Sequence, residues 1–230
     1  MIYFRRATER GTANFGWLQS RHSFSFGHYY DPQHMGFSVL RVINDDVVKG
    51  GAGFDTHGHK DMEIISYVLK GAIEHKDSEG NAYVVPAGDV QRMSAGTGIL
   101  HSEFNHSKHD EVRFLQIWIV PNKQGITPSY EQKTVCQTEK LTPLVTADGR
   151  KNSLTMQQNA SLYRLVLNEG DVISLSAESQ WGYLHIIDGE TQVGEHNLCA
   201  GDAIGVTEGT LDIQAATQLT ALWFELPAQA

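Results

Sequence analysis

The sequence predicts an all-β protein, and three observations carry that prediction. Apolar, β-branched and aromatic runs recur at roughly 8–12-residue intervals, bounded by glycine and proline, which is the rhythm of an antiparallel sandwich or barrel. The 22 glycines among 230 residues favour many turns. Ala87-Gly88-Asp89 and Ala200-Gly201-Asp202 are matching turns that precede a strand in each half of the chain, as an internal duplication would leave them.

The first fifty residues open with a short strand candidate and pass into an aromatic-dense segment, Phe15-Gly-Trp17 to Pro32. Within it Phe24 and Phe26 alternate with serines, as on a strand face or an extended coil laid on a core. His22, His28 and His34 lack ligand spacing and read as packing or surface residues. Gly36–Ile43 then reads as a strand closed by the turn signal Asn44-Asp45-Asp46. Ile64–Leu69, Ala72–His75, Tyr83–Val85, Gln91–Met93 and Phe114–Val120 follow as strands, with turns at Lys70-Gly71, Asp77–Asn81 and Pro86–Asp89. Residues 121–150 read as a connector, because Pro121, Pro128, Pro143 and Gly149 punctuate them. Ser161–Leu167, Asp171–Leu175, Gly182–Ile187 and Ala221–Leu226 resume the β rhythm. The expected division is a domain of residues 1–133 and a second of 134–230.

Bulk properties exclude some classes of function. The net charge is −9 and no run of five basic residues exists, so direct nucleic-acid binding is not expected. No apolar run approaches the ~20 residues of a membrane span, and the N-terminus lacks the apolar region of a signal peptide. Cys136 and Cys199 have no CxxC spacing and are expected as reduced thiols. A cytoplasmic protein, with no membrane association, is the simplest expectation.

The chemistry concentrates in Gly51-Ala-Gly-Phe-Asp-Thr-His57-Gly-His59-Lys-Asp-Met-Glu63 and in His101-Ser-Glu103-Phe-Asn105. On a strand, residues i and i+2 share a face about 6.5–7 Å apart, whereas on a helix they would diverge by about 200°. His57-x-His59 and His101-x-Glu103 therefore read as two strand-borne pairs, which on facing strands bring four ligands to one point. Three histidines and a carboxylate suit a divalent first-row transition ion better than magnesium or calcium. Glu63 is a rival carboxylate. The spacing of Glu103 from His101 favours Glu103, leaving Glu63 to hold a histidine N–H from outside the ligand set.

These segments resemble the two cupin motifs. Gly51-x5-His57-x-His59-x3-Glu63, with Gly71 further on, is similar to the first, with one extra residue before the last glycine. Gly80-x5-Pro86-x-Gly88 with His101-x3-Asn105 is similar to the second, except that twelve residues separate Gly88 from His101. That longer stretch, Ser94-Ala-Gly-Thr-Gly-Ile-Leu-His101-Ser-Glu103, together with Phe24-Ser-Phe26 and Tyr30-Asp31-Pro32, resembles the pirin family within the cupins. The resemblance implies two jelly-roll β-barrel domains packed face to face, with metal only in the first. It implies His57, His59, His101 and Glu103 as the metal ligands, Fe(II) as the first choice of ion, and nickel, cobalt, copper, manganese or zinc as alternatives. It also implies a quercetin 2,3-dioxygenase reaction, in which O2 opens the central ring of a flavonol and carbon monoxide leaves, with Glu103 as base. Phe24, Phe26, Phe37, Met93 and Phe104 are candidates for the pocket wall. The alternative implied is a metal-dependent transcription cofactor acting through protein partners. A monomer is expected.

Overall fold

Alternation in the Glu63–Lys70 strand sets the plan of the N-terminal half. Ile64, Ser66 and Val68 point to one face of the sheet and Glu63, Ile65 and Tyr67 to the other, yet all six are buried. A strand covered on both sides belongs in the middle of a sheet. In the computed structural model, which describes residues 2–177 and 180–228, that is where it lies. Its sheet runs Ser129–Thr134, Asp89–Ser94, Glu63–Lys70, Val112–Ile119, Leu40–Val48, Leu18–His22, Gly11–Asn14. A second, four-stranded sheet runs Gly53–His59, Ile99–Asn105, Ala72–Asp77, Ala82–Pro86. Every pairing in both is antiparallel. The fold is all-β, and among the described residues the helices are single 3-10 turns. Among the described residues no helix is long and apolar enough to cross a membrane.

The chain divides into two compact units. One comprises Gly11–Val135 with Leu154–Gln158; the other takes the segment ending at Arg10, Cys136–Ser153 and the chain from Asn159 onward. The first ten residues go with the C-terminal unit because Ile2–Arg5 pairs with Ala203–Val206, from Ile2 opposite Val206 to Arg5 opposite Ala203. Arg6 and the Ala7 N–H then bond the buried carboxylate of Asp202. The sequence reading, which kept these residues with the N-terminal domain, had no local signal for a pairing 200 residues away.

The C-terminal unit has the same plan. Ile2–Arg5, Ala203–Val206, Trp181–Asp188, Leu219–Leu226, Ser161–Leu167 and Leu141–Thr146 are neighbours in its larger sheet. Val172–Ser176, Thr210–Ala215, Glu190–Val193 and His196–Cys199 make its smaller one. It holds an apolar core cluster that includes Leu165, Leu184, Ile213 and Trp223. Val172–Ser176 and Thr210–Ala215 take the places that Gly53–His59 and Ile99–Asn105 hold in the first unit, and they meet through Ile173–Ile213 and Leu175–Leu211. Apolar pairs stand where the first unit carries histidines.

Two expectations differ from the structure. Asn44-Asp45-Asp46 is no turn: Leu40–Val48 runs straight through it. Asn44 accepts a bond from His22 at 2.8 Å and Asp45 pairs with Arg113 at 2.9 Å, so these two polar residues have partners on the neighbouring strands, while Asp46 is buried. The 121–150 connector holds two strands, Ser129–Thr134 and Leu141–Thr146. Pro143 is tolerated in the second because the register shifts between Pro143 and Val145.

Gly53 sets how closely the two ligand-bearing strands approach. A Cβ there would lie 2.5 Å from the Glu103 carbonyl oxygen and 2.5 Å from Phe104 Cα, both backbone atoms that cannot step aside cheaply. Gly53→Ala is expected to cost about 1–3 kcal/mol, read as a lower urea midpoint with an unchanged m-value. An unchanged midpoint would show that the strands separate freely.

Candidate metal centre

Three adjacent strands of the small sheet carry the site. His57 stands directly opposite His101, which in turn stands opposite Asp77; Glu103 stands opposite His75. Cross-strand partners share a face, so His57, His101, Asp77, Glu103 and His75 all project from the same side. His59 joins them two residues along from His57. Gly53–His59 needs an irregularity to achieve this: the register shifts so that Phe54 opposes Glu103 while His57 opposes His101. The extra residue in that stretch turns His57 and His59 to the histidine-bearing face, as a β-bulge does.

His57, His59 and His101 come together as one group, with ring centroids 4.5–4.9 Å apart. The Nδ1 of His57 lies 2.7 Å from the Asp55 carbonyl oxygen, so it carries the proton and leaves Nε2 as a bare lone pair. That lone pair faces Nε2 of His101 at 3.1 Å. Two nitrogens bound about 2.1 Å from one ion, at right angles, would stand about 3 Å apart. The donor set therefore fits a transition ion.

Electrostatics prepare these rings for the same role. Burial, then the neighbouring His101 and His57, lower His59 to about 4. Burial, then His57 and His75, lower His101 to about 3, with Asp77 pulling the other way. Both imidazoles are neutral at pH 7, the form that binds a metal.

Glu103 lies deeper, fully enclosed, in a group with His101 and His75 whose ligand atoms lie within 4.8 Å of one another. A buried carboxylate is costly unless hydrogen-bonded, and three side chains serve it. Ser66 Oγ and Gln91 Nε2 donate to Oε1 at 2.9 Å each, and Gln116 Nε2 donates to Oε2 at 2.6 Å. Oε2 is thus the oxygen with acceptor capacity to spare. Asp46 is pushed up to about 7, chiefly by burial, with the neighbouring Asp45 and Glu103 carboxylates acting in the same direction.

Glu63 is elsewhere. It sits one residue out of phase with Ile64 and Ser66, on the opposite face of its strand, where Oε2 accepts from Ser94 Oγ at 2.9 Å and from the Gln157 N–H at 3.2 Å. It belongs to neither histidine group, and the histidine-holding role expected of it is not what its bonds provide. Among the pocket candidates, Phe26 meets Trp118 edge-on at 5.3 Å, and Trp118 meets His59 at 4.9 Å. Phe24, Phe37 and Met93 are core residues instead, and Phe104 packs over Gly53. His22 is a packed residue, bonded to Asn44 and facing the Tyr29 ring.

One part of the site was missed in the sequence although a signal for it exists. His75-Lys-Asp77 repeats the i, i+2 spacing of the other two pairs, on the strand next to His101 and Glu103. His75 Nε2 bonds Asp77 Oδ2 at 3.0 Å, and the His75 ring stacks on Tyr130 at 4.6 Å.

Residues 3–119 match the family described as Pirin, and residues 144–226 match the quercetinase C-terminal cupin domain. The chain belongs to the pirin family. This pirin is 46% identical over 230 residues to an Escherichia coli protein named quercetin 2,3-dioxygenase, covering 99% of each chain. It superposes with a TM-score of 0.96 on the E. coli bacterial pirin YhhW in complex with nickel(II), at 44% identity and with both chains fully covered. The E. coli protein YhaK is more distant, at TM-score 0.77 and 29% identity over 95% of this chain and 98% of that one. The two cupin domains expected from the sequence motifs are those of this family.

The lowered histidines fix the sign of a pH effect. Between about 6.5, where unfolded histidines titrate, and about 4, the unfolded chain binds protons that folded His59 and His101 refuse. Stability of the metal-free protein should therefore fall as pH drops through that window. Nickel(II) bound at these histidines in the folded state would raise the melting temperature, more at pH 7 than at pH 4.5. Thermal unfolding with and without nickel checks both; a larger nickel effect at the lower pH would contradict the assignment.

Proposed function

We propose that this pirin is a metal-dependent dioxygenase that opens the central ring of a flavonol such as quercetin with O2 and releases carbon monoxide. The observation that carries the reading is the convergence of three histidines, two of them held neutral, beside a buried carboxylate whose Oε2 is free to accept. The names of the similar enzymes point to the same reaction class.

His57, His59, His101 and Glu103 are the proposed ligands. The ion is a divalent transition metal; Fe(II) is the proposed native metal, and the set also suits nickel, the ion in the related bacterial pirin. When bound, the metal supplies a Lewis acid and a template for the substrate oxygens. The chain's own contributions are distinct. Asp55 fixes the His57 tautomer, and Ser66, Gln91 and Gln116 fix the orientation of the Glu103 carboxylate. Glu103 takes the acidic flavonol hydroxyl proton on Oε2, the oxygen with only one donor. Phe26 and Trp118 offer an aromatic wall beside His59 against which a flat polyphenol packs.

The test is aerobic incubation of metal-replete protein with quercetin, following loss of the flavonol absorbance and evolution of carbon monoxide. The parent protein should consume quercetin. His57→Ala and Glu103→Ala should each lower the rate by at least about 100-fold. Unchanged turnover in both variants would refute the mechanism, and a metal-loaded parent that leaves quercetin intact would refute the substrate class.

A further inference from the structure

The His75-x-Asp77 pair lies outside the proposed ligand set, yet it is built as tightly as the ligands themselves. Both side chains are completely buried. Asp77 is held from every side: Oδ1 accepts from the Glu79 N–H, the Asn81 N–H and Asn81 Nδ2 at 3.0–3.1 Å, and Oδ2 accepts from Asn81 Nδ2 and His75 Nε2 at 2.9 and 3.0 Å. With that acceptor fixed, His75 must present its Nε2–H to Asp77, which fixes both ring angle and tautomer. Its Nδ1 is then buried with no partner, and so is the Nδ1 of His101.

An apolar side chain would fill the same space against Tyr130 without burying an unpartnered nitrogen, so packing alone does not account for a histidine here. Its location does. His75 stands directly across the ladder from Glu103, and Asp77 directly across from His101. A short chain of contacts runs on to Glu103: the His75 ring stacks on Tyr130, the Tyr130 hydroxyl donates to Gln91 Oε1 at 3.0 Å, and Gln91 Nε2 donates to Glu103 Oε1 at 2.9 Å. One chain of contacts thus links Asp77, through His75, Tyr130 and Gln91, to Oε1 of Glu103.

We propose that His75, locked by Asp77, is a positioning residue of the metal centre, setting where the Glu103 carboxylate and the His101 ring stand relative to the ion. The inference rests on the metal-site reading above. Groups that orient metal ligands change affinity and ligand field when removed, while the ion can still bind.

The test uses the full-length protein loaded with cobalt(II), whose visible absorption bands report ligand geometry. His75→Phe keeps a ring against Tyr130 and leaves the turn bonds of Asp77 intact; Asp77→Asn keeps the volume but alters the clamp. Both should still bind about one ion per chain, with affinity lowered about 10-fold or more in chelator competition and with shifted cobalt bands. Variants that match the parent in affinity and spectrum, even with a lower melting temperature, would overturn the inference and leave His75 a packing residue. A parent that takes up no cobalt would overturn the metal-site reading along with it.

Discussion

The antiparallel pairing of Gly53–His59 with Ile99–Asn105 is the contact on which the rest of the site depends. It sets His57 opposite His101 at a separation that leaves two ring nitrogens 3.1 Å apart. The Nε2 lone pair of His57 at that distance is satisfied either by the Nε2–H of neutral His101 or by a metal ion that both nitrogens bind. The close approach depends on Gly53, where a Cβ would meet the facing backbone, and on the register shift that turns His57 and His59 to the face of His101. Sequence, strand geometry and chemistry are linked there by a few residues.

The two units show what such a site requires of a barrel. In the C-terminal unit the corresponding strands meet through Ile173–Ile213 and Leu175–Leu211, within an apolar cluster. In the N-terminal unit His22, Asn44, Asp46, Ser66, Gln91 and Glu103 are all buried. They cost stability unless each finds partners, and Glu103 is the clearest case, with three donors. One plan thus hosts either apolar or metal-ligand-type pairs between these two strands, according to which residues alternate inward.

Much of this was legible in the sequence, because it rests on local spacing. The i, i+2 pairs and the apolar strand runs report their own geometry, since a strand's period of two is set by the backbone alone. What stayed hidden depended on distant partners. Asn44-Asp45-Asp46 looks like a turn until His22 and Arg113 are brought beside it. Ile2–Arg5 gives no hint of its partner Ala203–Val206. Glu63 rivals Glu103 by its place in the first cupin motif, and its phase relative to Ser66 on the folded strand sends it to the other face. His75-x-Asp77 was visible as a pattern, but its adjacency to the second pair was not, because strand order is a tertiary property.

The central claim is that His57, His59, His101 and Glu103 hold one transition ion. Anomalous diffraction from crystals of the nickel-loaded protein, recorded on either side of the nickel absorption edge, tests it most directly. The account predicts one strong peak about 2.0–2.2 Å from a nitrogen of each of the three histidines and from one carboxylate oxygen of Glu103. A peak bound by Glu63, or a nickel ion that leaves Glu103 out of reach, would contradict it.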